Sequence, residues 1–140
     1  PGHSDPDIAV VVQAAQSRCG WRRCTIIKDK AVLSEAEVPF LSVQWGQTKV
    51  LVGKSSPAPS DRVMVKITEY LPGFIHEKHV HPDQEEIIFV LSGRGLTETF
   101  SGKRDIGPGD VVWIPAGLDH ATYNPYTETL RAVIIKSPPD

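Results

Sequence analysis

From Val63 onward the chain breaks into seven short strand-like runs, at residues 63–70, 78–81, 86–91, 96–100, 110–114, 120–123 and 130–136. Turn signals separate them: Pro72-Gly73, Pro82-Asp83, Ser92-Gly93, Ser101-Gly102, Gly107-Pro108-Gly109 and Asn124-Pro125. Runs rich in β-branched and aromatic residues, punctuated this tightly, predict strands joined by short turns. No helical period lies between them to carry a parallel crossover, so the expected class is all-β, an antiparallel sandwich or barrel. Upstream, residues 40–45 and 48–52 read as two further strands around Trp45-Gly46-Gln47, and residues 25–28 as another. Asp7 is placed to cap one short helix over residues 8–17, ending near Gly20. The expected organisation is an N-terminal extension with a short helix over 1–20, followed by a single β-barrel domain over 21–140.

A chain of 140 residues suits one domain with a real core. Fifteen basic and 17 acidic residues leave a formal charge of -2 with no long run of either sign, which argues against nucleic acid or an anionic membrane as partner. Apolar residues 8–12 are too few to span a bilayer and no basic segment precedes them, so the expected setting is the cytoplasm. Cys19 and Cys24 lack the spacing of a redox pair or a zinc cluster, and read as two thiols of a reducing compartment.

Five histidines occur in the chain, and three of them, His79, His81 and His120, fall in two short segments with Glu86. On a strand, residues two apart point to one face, so the imidazoles of His79 and His81 are expected to share an interior. Pro82-Asp83 then reverses the chain and Glu86 opens the returning strand, bringing its carboxylate alongside. His120 arrives after the Pro115-Ala116-Gly117 turn. Three imidazole nitrogens and one carboxylate oxygen suit a divalent first-row ion: iron or manganese first, with zinc, nickel, cobalt or copper as alternatives. Four protein ligands on an octahedral ion leave two positions for a ligand, as a catalytic site needs.

These segments resemble the two motifs of the cupin superfamily. Gly73, His79, His81, Glu86 and Gly93 match the first, within residues 73–93, and Gly109, Pro115, Gly117, His120 and Asn124 the second, within 109–124. Glu85 also lies within the permitted spacing, but Glu86 is the one that stands six residues before Gly93. The resemblance implies a single-domain cupin barrel of the jelly-roll or double-stranded β-helix type, with the four ligands facing inward. By the same analogy a homodimer is expected.

Around this centre, Thr122 shares a strand face with His120 and is expected to look into the barrel. Phe74 and Trp113, with Tyr70, are candidate pocket walls. His76 and Tyr126 are candidates for moving protons, His76 because imidazole titrates near neutral pH. Lys66 has two readings. Pointing inward, it needs a partner such as a substrate carboxylate; pointing outward, it is the solvent side of an alternating strand, the commoner arrangement.

The resemblance implies a metal-dependent enzyme for a small oxygen-bearing metabolite, with an iron- or manganese-dependent dioxygenase favoured. A redox-neutral isomerase, decarboxylase or lyase is the alternative. A cupin that binds a small molecule without turning it over is the reading from outside the enzymes.

Overall fold

The computed structural model describes residues 31–140. Ten strands run through them: β1 (Leu41–Val43), β2 (Gly46–Val52), β3 (Met64–Tyr70), β4 (Ile75–His79), β5 (Glu85–Ser92), β6 (Gly95–Thr99), β7 (Gly102–Ile106), β8 (Val111–Ile114), β9 (His120–Tyr123) and β10 (Leu130–Ser137). They form a six-stranded sheet in the order β1-β2-β3-β10-β5-β8 and a four-stranded sheet in the order β4-β9-β6-β7. All the strand pairs are antiparallel, as the tight turns require. The result is the all-β cupin-type barrel. The expected helix over 8–17, the strand over 25–28 and both cysteines lie outside the described residues. Among those described, no helix is long and apolar enough to cross a membrane.

Strand β10 shows why the barrel closes. Its residues alternate strictly between buried and half-buried from Leu130 to Lys136, so Leu130, Ala132, Ile134 and Lys136 face inward. On one side they stand opposite Tyr70, Thr68, Lys66 and Met64 of β3. On the other, Ala132, Ile134 and Lys136 stand opposite Val90, Ile88 and Glu86 of β5. Directly opposed residues share a face, so these pairs make rows across the barrel wall. Tyr70, Ile88, Val90, Val112, Ile114, Leu130, Ala132 and Ile134, with Ile106 from β7, make the core cluster.

Two motif residues are explained by the backbone they hold. Gly93 sits at φ +79°, and a Cβ there would lie 2.1 Å from the Thr129 carbonyl oxygen, so only glycine fits the turn out of β5. The buried Asn124 amide donates to the carbonyls of Tyr70 (2.7 Å) and Glu128 (2.8 Å), and its oxygen accepts from the Tyr126 N–H (3.1 Å). That side chain pins the turn between β9 and β10.

The strand bounds differ from the sequence reading most at β4 and β7. β4 stops at His79, so His81 lies in the connection beyond it; Pro82, which has no N–H and restricts the residue before it, is poorly suited to extending the ladder. Residues 102–106, read only as part of a hairpin, form the full strand β7 against β6.

Candidate metal centre

Each ligand reaches the centre by a different route. His79 ends β4 and pairs directly with His120, which begins β9. Glu86 comes from the opposite sheet, on β5, facing inward between Lys136 of β10 and Ile114 of β8. His81 is held by its own carbonyl, which accepts the N–H of Gly117 at 2.8 Å and so ties the two motif segments together. One ligand atom from each of the four lies within 4.8 Å of the others. Glu86 is 4% exposed and His120 1%. Glu86 Oε2 stands 3.0 Å from His81 Nε2 and 3.6 Å from His120 Nε2.

The donor chemistry fits an ion. His79 Nδ1–H donates to the Glu77 carbonyl at 2.7 Å, and His120 Nδ1 faces the Leu118 carbonyl at 3.4 Å. Those bonds fix the tautomer that leaves Nε2 as a bare lone pair, the arrangement usual for metal-bound histidine. The Nε2 atoms of His79, His81 and His120 are all buried without a hydrogen-bond partner. Three unsatisfied nitrogens in one place are costly unless a cation takes them up. The group can therefore bind a metal ion.

Burial shapes the electrostatics. It pushes the pKa of His79 and of His81 below the usual imidazole value, and both favour the neutral, ligating form. For Glu86, burial alone would raise the pKa, but His120, Lys136 and His81 together outweigh it and the carboxyl stays ionised.

His76 joins this group. It faces inward opposite Thr122, stacks on Trp45 at 3.6 Å between ring centroids, and lies 4.1 Å from the His79 ring. Burial, then the neighbouring His79, brings its pKa down to about 3, so it is a neutral imidazole. Thr122 is buried on the same inner row, and burial raises the pKa of the nearby Tyr70 hydroxyl, keeping it protonated.

Phe74, Trp113 and Tyr126 are not brought to the centre. Phe74 is 47% exposed and lies with Leu96 and Tyr123 on the outer side of the four-stranded sheet. Trp113 is 54% exposed, because Val112 and Ile114 take the inward positions of β8. Its indole N–H donates to Glu85 at 3.0 Å, which also shows Glu85 facing out. Tyr126 bonds through its hydroxyl to Asp105, with the Arg94 guanidinium 4.3 Å from its ring centroid, on the outer surface.

The outward reading of Lys66 is corrected. It stands opposite Ile134, a core residue, and so points into the barrel; Ile67 is buried on the other face, so this part of β3 is covered on both sides and does not alternate cleanly. Lys136 and Trp45 were not anticipated. Lys136 was open to prediction, since it continues the inward series Leu130, Ala132, Ile134 at a spacing of two. Trp45 reaches the centre only because the β1–β2 turn folds over β4, which no local pattern announces.

Residues 66–136 match the cupin domain family. The chain belongs to that family. It is 34% identical over 87 residues to dimethylsulfoniopropionate lyase DddQ of Ruegeria pomeroyi, covering 61% of this chain and 42% of the lyase. Over 78 residues it is 33% identical to germin-like protein 3-7 of Oryza sativa subsp. japonica, covering 52% of this chain and 34% of that protein. The chain thus spans less than half the length of these curated relatives. Among solved structures, KdgF from a Halomonas species superposes with a TM-score of 0.69 at 21% identity, covering 79% of this chain and 94% of that one.

Proposed function

We propose that the protein is a metal-dependent enzyme that cleaves or rearranges a small oxygen-bearing metabolite without net oxidation, a lyase or isomerase in type. The observation that carries this reading is the convergence of three unpartnered histidine nitrogens and one buried carboxylate. A divalent ion held there supplies Lewis acidity toward an oxygen atom placed on it. The remaining work falls to the chain itself. His76, held neutral and stacked on Trp45, is a weak base there, and its part is to orient a bound oxygen group by a hydrogen bond from its ring N–H. Tyr70 keeps its hydroxyl proton and offers a donor. The aliphatic wall of Ile88, Ile114 and Ile134 keeps water away from the buried side.

The motifs alone favoured a dioxygenase. The stretch shared with a lyase moves the redox-neutral alternative ahead of it. The test is a turnover screen of small acids, esters and sugars with iron-, manganese-, nickel- or zinc-loaded protein, in air and under nitrogen. The expected result is equal turnover with and without oxygen, abolished by chelation. Stoichiometric oxygen uptake would establish the dioxygenase instead, and saturable binding without product would establish a binding protein.

A further inference from the structure

Two lysines face the barrel interior beside the metal ligands without belonging to them. Lys136 stands directly opposite Glu86 across the β10–β5 pairing and is 6% exposed. Lys66 lies one row deeper on β3, opposite Ile134, and has no hydrogen-bond partner among the described residues. It acts through space on Lys136, Glu86 and Asp140. A lysine ammonium withdrawn from water is unfavourable unless something negative meets it.

Charge accounting shows what is missing. The positive charges of Lys66 and Lys136 are faced by two carboxylates, Glu86 across the β10–β5 pairing and Asp140 beside Lys136 Nζ, and imidazoles that ligate a metal are neutral. A divalent ion at the four ligands therefore leaves the interior with two uncompensated positive charges, and an anionic ligand offsets them. Asp140 shows the kind of group the lysines accept. Its Oδ1 lies 3.4 Å from Lys136 Nζ and takes a 2.8 Å hydrogen bond from Gln84 Nε2. The Asp140 side chain is itself 54% exposed, so a carboxylate from solution can displace it with little disturbance to the core.

We propose that Lys66 and Lys136 form the carboxylate-binding end of the substrate site, so that the ligand is a small organic acid with its carboxylate on the lysines and a second oxygen group on the metal. This rests on the metal-dependent reading above and narrows its substrate class. Lys66 is the determinant of specificity, because Lys136 already pairs with Asp140.

The test is calorimetric titration of the full chain, metal-loaded and metal-free, with succinamate and with succinamide, in which an amide replaces the remaining carboxylate. Metal-loaded wild type is expected to bind succinamate at least tenfold more tightly. Lys66→Met should bring that ratio close to one, and Lys66→Arg should keep most of it. Thermal melting separates this from a structural role: without ligand, Lys66→Met should melt no lower than wild type, since it removes a half-buried charge that has no hydrogen-bond partner among the described residues. Equal affinities in wild type, binding of neither probe, an undiminished ratio in Lys66→Met, or a lower melting temperature for that variant would each overturn the proposal. Elemental analysis of the same samples keeps the two readings apart. If the protein holds no metal and the succinamate preference still depends on Lys66, the lysine site stands and the metal reading falls.

Discussion

The two ends of the barrel interior are built from the same strands and do opposite things. At one end β10 and β5 contribute Leu130, Ala132 and Val90, each with no solvent exposure. At the other, the same two strands contribute Lys136 and Glu86, facing three histidines. Apolar burial at the closed end stabilises the fold, roughly 25 cal/mol per Å² removed from water. The open end gathers lone pairs and charges that a fold would avoid if stability were the only requirement. The difference teaches that the wall strands are two-part elements, with the fold maintained at one end so that strain can be tolerated at the other.

Leu130→Ala should break the closed end, costing about 2–5 kcal/mol for a fully buried leucine. Metal affinity of the remaining folded protein should change little; a parallel collapse would show the ends to be coupled. Glu86→Gln, or alanine at His79, His81 or His120, should do the reverse. Metal affinity should fall by roughly 100-fold or more, beyond the 10- to 100-fold usual for residues that only support ligands. Elemental analysis that finds full occupancy in these variants would remove the site.

Between about pH 7 and about pH 5 acid should act first on the open end, before the carboxylates elsewhere in the fold titrate. His76, His79 and His81 have folded pKa values below the ordinary 6.5. As pH falls through that value the unfolded chain takes up protons the folded one refuses, so metal-free protein should lose stability between about pH 7 and about pH 5. Thermal melting that is flat or rising across this window would show the imidazoles to be solvated. The smallest effect belongs to Glu85→Gln. Glu85 faces outward onto Trp113, so metal content should stay within about twofold of wild type, in keeping with the small effects of surface changes.

The spacing of glycines, proline, histidines and glutamate was enough to pick out the four side chains that converge, because a motif reports directly which residues must come together. Pocket walls were harder. Phe74 and Trp113 sit close in sequence to the motifs, yet each points away from the interior, and the buried Val112 and Ile114 on either side of Trp113 reveal its outward position once the register is known. Lys66 was ambiguous because its strand is covered on both faces, which erases the period of two. Trp45 was out of reach for a different reason: its contact with His76 joins residues 31 apart across two sheets, and only the assembled fold creates it.

That indole has a use of its own. Stacked on His76, which in turn lies against the ligand His79, Trp45 is a fluorophore mounted two rings from the metal centre. A paramagnetic ion there should quench its share of the emission from the three tryptophans and zinc should not, so the protein carries an optical gauge of whether a bound ion is paramagnetic.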